Sequence, residues 1–194
     1  QYREYQENNL EVPLPKGIAF PFIKRLLALN DLSPSPEDPL VEVVLLSRND
    51  PDTGLRVMKT IEHYGLGITR AIFMQGRSPY EYIPALNIAL FLSGHKPDVE
   101  AAIGSGHPAG QVLDSMFDDE EDDQTLRIAF DFDGVLAGDE SESVMQASGL
   151  TAFHDHEVKN VMRPHHPGPL KEFLVRISRI QPAEEAYKQQ HPEY

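Results

Sequence analysis

The sequence predicts an α/β fold built on a doubly wound, mainly parallel sheet. Three observations point there. Short β-branched apolar runs alternate with segments of helical apolar spacing, which is the pattern of parallel βαβ units. Two of the runs end in Ser, at Ser47 and Ser93, and another passes straight into Asp131-Phe132-Asp133-Gly134. The chain of 194 residues is long enough to cover such a sheet on both faces.

In chain order, residues 1–19 are polar and broken by Pro13, Pro15 and Gly17, and FPFIKRLLALN (20–30) has helical apolar spacing. A proline-rich loop (31–39) leads into LVEVVLLS (40–47), expected as a buried strand. DTGLRVMKTIEHYG (52–65) reads as a helix, with Asp52 near its start and Gly65 placed to end it. ITRAIFM (68–74) and IALFLS (88–93) read as the next strands, separated by SPYEYIPALN with a Ser cap and a Pro in its first turn. KPDVEAAIG (96–104) is a short helix, and the glycine-rich GSGHPAGQVLD has room for a short strand. LRIAF (126–130) is expected as a buried strand entering DFDG. ESESVMQASG and PLKEFLVRISRI (169–180) then read as helices, and the polar tail QPAEEAYKQQHPEY as a fraying end.

This divides the chain into a first α/β half (1–117), an acidic linker (118–125) and a second half (126–194) that carries DFDG and part of a cap. An internal echo crosses the division at an offset of 151 residues. Asn9, Pro13, Gly17, Phe22 and Arg25 align without gaps on Asn160, Pro164, Gly168, Phe173 and Arg176, which suggests a duplication with the first half degenerate.

Composition narrows the function. The formal charge of −14 argues against a nucleic-acid partner, whose phosphates demand Lys and Arg. It leaves room for a small phosphorylated substrate, because one Mg²⁺ reverses the local sign of an acidic site. Six of the 31 acidic residues form DDEEDD (118–123), read as a solvated linker. There is no cysteine, which excludes disulfides and thiolate metal sites and leans toward a reducing compartment. No apolar run is long enough to span a bilayer, and a cytoplasmic protein is expected. A homo-oligomer is compatible with all of this.

The chemistry concentrates at Asp131-Phe132-Asp133-Gly134. Two aspartates one residue apart at a strand end both reach the site edge if the backbone turns at once, which Gly134 permits. Such a pair suits phosphoryl transfer: one carboxylate attacks phosphorus, the other handles the proton, and Mg²⁺ offsets the charge. A calcium loop fails on spacing, because its Gly belongs at position six and Gly134 is fourth. A plain Asp-Gly turn stays open.

IAFDFDGVL resembles the first motif of the haloacid-dehalogenase superfamily. The long stretch from DPLVEVVLLSRNDPDTGLRV to IPALNIALFLS is similar to the cytosolic 5′-nucleotidase type I family, as are GIAFPFIKRLLALN and DFDGVLAGDESE. The resemblance implies a haloacid-dehalogenase-like sheet and Mg²⁺-dependent hydrolysis of nucleoside 5′-monophosphates. It implies Asp131 as nucleophile through an aspartyl-phosphate, Asp133 as general acid/base, and both on the metal. Other small phosphoesters, or an inactive nucleotide- or metal-binding module, are the alternatives.

Superfamily members need three more groups after the first motif: a phosphate-holding Ser or Thr, a cation and a further acid. About sixty residues follow Asp133 and hold none of these in a strand setting. The expectation is therefore a segment of a longer parent without the usual opening and closing parts, or a permuted domain completed by the earlier half. In that half Ser47 ends a strand and suits a phosphate contact, with capping as its other reading. Arg77 lies about where the cation belongs, and Lys96 is a further candidate. Ser47, Gly134 and Arg77 are thus the candidate phosphate contacts. FHDHE and RPHHPG read as surface, with His156 and Glu157 available to line a cap over the nucleotide. The aromatics and arginines of TRAIFMQGRSPYEY could stack on a base but read first as packing, and GSGHPAG lacks the residues of a phosphate loop.

Overall fold

The computed structural model describes residues 2–114, 120 and 123–192. Seven helices and four strands are present among them: α1 (Tyr2–Asn8), α2 (Phe20–Ala28), β1 (Val44–Ser47), α3 (Pro51–His63), β2 (Arg70–Phe73), β3 (Phe91–Ser93), α4 (Lys96–Gly104), β4 (Ala109–Gln111), α5 (Glu140–Asn160), α6 (Lys171–Ser178) and α7 (Gln181–Gln190). Short 3-10 turns cover Leu29–Leu32 and Pro79–Tyr82.

The first half is built from two βαβ units. β1 and β2 pair in parallel, with Val44 opposite Arg70 and Ser47 opposite Phe73, and α3 connects them. β3 and β4 pair in parallel, with Phe91 opposite Ala109, and α4 connects them. α3 is defined locally: the Asp50 carboxylate accepts from the Asp52 amide at 2.8 Å, Pro51 opens the first turn, and Gly65 leaves at φ +63°. Its Gly54 lies under the Phe73 ring, where a Cβ would come within 2.6 Å, so the helix seats directly on β2. Arg56, 6% exposed, donates to the Val12 carbonyl and to Gln6, tying the N-terminal segment to α3. The tightest core joins the units: Ile83, Phe91 and Ala102 pack with Leu46, Tyr80, Ile88 and Ala109.

Among the described residues the strands pair two by two, β1 with β2 and β3 with β4, as two-stranded parallel sheets. The expected strand at 126–130 is not a strand, and no backbone–backbone hydrogen bond reaches it among the described residues. Its side chains alternate all the same: Leu126, Ile128 and Phe130 are half-buried while Arg127 and Ala129 are exposed. At its end Phe130 meets Phe173 of α6 edge-on at 6.1 Å. The polar tail is also a correction. It forms α7, which Pro182 opens and a Glu184–Lys188 pair at 2.7 Å supports one turn apart.

Shifted by 151 residues, α2 falls on α6, and the two helices start alike: the Gly17 carbonyl accepts from Phe20, the Gly168 carbonyl from Lys171. Arg25 of α2 donates to the carbonyls of Glu120 and Asp123, so the end of the acidic segment is fastened to that helix. Residues 118, 119, 121 and 122 of that segment lie outside the described residues. Among the described residues no helix is long and apolar enough to cross a membrane.

Candidate active site at the DFDG turn

Residues 131–134 are exposed at a tight turn. The Phe132 carbonyl accepts from three successive amides, Val135, Leu136 and Ala137, at 3.4, 3.0 and 2.9 Å. Gly134 at φ +70° makes that curl accessible. The Asp131 carboxylate accepts from the Phe132 amide through Oδ1 at 2.8 Å, which leaves Oδ2 clear of that bond. The Asp133 side chain has no hydrogen-bond or ion-pair partner among the described residues, and its carbonyl accepts no backbone amide there.

A second segment clasps the turn. Gly138 donates to the His166 carbonyl at 2.7 Å, Gly168 to Leu136 at 2.9 Å, and Leu170 to Val135 at 3.1 Å. The approach is so close that a Cβ on Gly168 would sit 2.3 Å from the Val135 oxygen. The Phe132 ring, between the two aspartates, meets the His165 ring edge-on at 5.8 Å.

Two carboxylates and a free carbonyl form a hard-oxygen donor set, the kind Mg²⁺ takes through one or two carboxylates while keeping several waters. Asp131 and Asp133 would hold it. Among the described residues no third carboxylate or imidazole gathers with them.

Behind the turn, α5 folds on itself. Gly149 breaks it at φ 81°, ψ 178°, a conformation open to glycine. A straight helix would hold Ser141 and Glu157 about 24 Å apart; here the buried Ser141 hydroxyl donates to Glu157 Oε1 at 2.5 Å. That bond, with help from His156 and His165, lowers the Glu157 carboxyl below its ordinary range.

The other candidates do not meet the aspartates. Ser47 ends β1 as expected, but its hydroxyl accepts from the Asn49 amide at 3.1 Å, the turn-capping geometry. Arg77 is exposed on the loop after β2, and Lys96 pairs with Glu100 at 3.5 Å along α4. Among the described residues, no hydrogen bond or ion pair joins Ser47, Arg77 or Lys96 to Asp131 or Asp133.

The cation at the strand edge is Arg48, which the sequence reading passed over. Its Nε donates to Asp98 Oδ2 at 3.0 Å, and its Nη2 bonds Asp98 Oδ1 and the Ser78 hydroxyl. Ser78 also donates to Asp98, and His95 lies 3.1 Å from it. The signal available was an Arg directly after a strand-end Ser, matched by an Asp in the first turn of α4. Asp98 is 3% exposed, and the bonds from Arg48 hold its carboxyl below the ordinary value despite burial. A carboxyl depressed on folding contributes stability above its unfolded pKa, and that stability is lost as pH falls through the folded value. Asp98→Ala is expected to cost about 1–3 kcal/mol at neutral pH, read as a drop of several degrees in melting temperature. The difference from wild type should shrink on acidification below about pH 4.

Fold and turn together define an α/β protein of parallel βαβ units with adjacent carboxylates on an exposed, glycine-clasped turn. The chain belongs to the 5′-nucleotidase family, whose model matches residues 1–193. It is 36% identical over 185 residues to cytosolic 5′-nucleotidase 1B of Homo sapiens, in an alignment that takes in 93% of this chain and 30% of that protein. The chain thus spans under a third of that relative's length. No solved structure matches it.

Proposed function

We propose that this chain hydrolyses nucleoside 5′-monophosphates to nucleoside and phosphate, with Asp131 as nucleophile and Asp133 as general acid/base. The observation that carries the reading is the DFDG turn, with two exposed carboxylates one residue apart, in a chain of the 5′-nucleotidase family. The bond from the Phe132 amide orients the Asp131 carboxylate and leaves Oδ2 for attack on phosphorus. As the Asp131–phosphorus bond forms, the bond to the ester oxygen breaks and Asp133 delivers a proton to that oxygen. Asp133 then takes a proton from water, whose oxygen displaces Asp131 and releases phosphate. Mg²⁺, when bound, offsets the phosphate charge that would repel the nucleophile.

In the same reading the two βαβ units are parts of a haloacid-dehalogenase-like sheet. The halves 1–117 and 126–194 descend from one duplicated unit, which the correspondence of α2 with α6 supports. We place the protein in the cytoplasm, as the name of its human relative and the cysteine-free composition suggest.

Phosphate release from a panel of nucleoside monophosphates tests the activity. Turnover is expected with Mg²⁺ and is expected to fall to background when the metal is chelated and to return when it is restored. A folded chain that releases no phosphate with Mg²⁺ from any of the panel would sink the proposal and favour a binding module.

A further inference from the structure

Arg25 of α2 and Arg176 of α6 align at the 151-residue offset, and each guanidinium grips backbone outside its own helix. Arg25 donates from Nε to the Asp123 carbonyl at 2.7 Å, where the chain starts toward the DFDG turn. Arg176 reaches a residue 89 positions away, donating from Nη1 to the Asn87 carbonyl at 3.0 Å and from Nη2 to its Oδ1 at 2.8 Å. Asn87 is a firm anchorage. It sits at φ +53°, and its amide donates to the Pro84 carbonyl. The next amide, of Ile88, donates to the carbonyl of Ile83, which is 2% exposed in the core of the first half.

We propose that Arg176 is a positioning residue for the DFDG turn: it fixes α6, and through α6 the two aspartates, to the core of the first half. Its effect on rate rests on the reading of Asp131 as nucleophile. α6 meets the turn from both sides. One helical turn before Arg176, Phe173 packs on Phe130, the neighbour of Asp131. At the start of the helix Leu170 donates to the Val135 carbonyl, and Gly168 just before it to Leu136. No strand ladder holds residues 126–130 among the described residues, so the place of the carboxylates follows that of α6. The guanidinium is a rigid fork, and two bonds to one residue fix direction as well as distance. Both partners are exposed, so losing the contact costs the fold little. Rate is more sensitive: a misplacement of about 1 Å at a reacting group costs about a hundredfold.

Backbone amide exchange reads the turn without turnover, which separates this inference from the proposed hydrolysis. It is followed by NMR in the full chain, in Arg176→Ala and in Asn87→Gly, which keeps the positive φ and removes the side-chain acceptor. In Arg176→Ala the amides of Gly138, Gly168 and Leu170 are expected to exchange about tenfold faster, while those of β1 and β2 keep the wild-type rate. Asn87→Gly should move the same three amides the same way. The double variant should go no further than Arg176→Ala, as one shared contact requires. In phosphate release Arg176→Ala should lower kcat about tenfold and leave KM within about twofold. Arg179→Ala, an exposed charge control at the end of α6, should match the wild type in both measurements. Wild-type exchange at the three amides in Arg176→Ala, equal acceleration in β1 and β2, or an unchanged kcat in an active chain overturns the assignment. Faster exchange at those amides, in a chain that releases no phosphate, would remove the hydrolysis and leave the coupling of Arg176 to the turn standing.

Discussion

Asp131→Asn is expected to release no phosphate above background from any nucleoside monophosphate, while melting within a degree or two of the wild type. The side chain is exposed, and the Asn oxygen still accepts from the Phe132 amide, so the fold loses little. What is lost is the anionic oxygen that attacks phosphorus. Asp133→Asn keeps the nucleophile but cannot donate or take the proton, and its rate should fall by about a hundred- to ten-thousand-fold. Rapid-quench phosphate release and thermal melts on the two variants check both statements. Wild-type rates in Asp131→Asn would remove the turn from the chemistry altogether.

Gly168→Ala should give the second large effect, from outside the carboxylates. A methyl there meets the Val135 oxygen at 2.3 Å and the Ala137 oxygen at 2.7 Å, and both are backbone atoms. No rotamer relieves the contact, so the clasp or the turn must shift, at about 1–3 kcal/mol. The shift falls on the bonds from Gly168 and Leu170 that fix residues 135 and 136 behind the aspartates. Phosphate release is therefore expected to drop together with the melting temperature, unlike in Asp131→Asn, where the rate falls alone. A variant that keeps both would show that the close approach is not what sets the turn.

The local grammar of the first half was legible. Asp52 near the start of α3 and Gly65 beyond its end marked the helix, though its cap is Asp50, and α4 falls on the expected 96–104. Strand pairing was not, because alternation fixes which side chains share a face and not what covers that face. Leu126, Ile128 and Phe130 alternate as in a strand, yet no ladder forms there among the described residues and Phe130 meets Phe173 of α6. At the site, the two aspartates and their glycine could be read because they are adjacent in sequence. The clasp at 166–170 could not, since it depends on contacts about thirty residues away. Arg48 escaped for the same reason: its partners Ser78 and Asp98 lie 30 and 50 residues on.

The folding of α5 at Gly149 has a mechanical consequence. Val158, Asn160 and Val161 hang from an arm whose direction is set at one end by a single glycine's dihedral angles and at the other by the Ser141–Glu157 bond. That is a cantilever with one pivot and one stay. Loosening either is expected to turn the return arm against the first turns of α5.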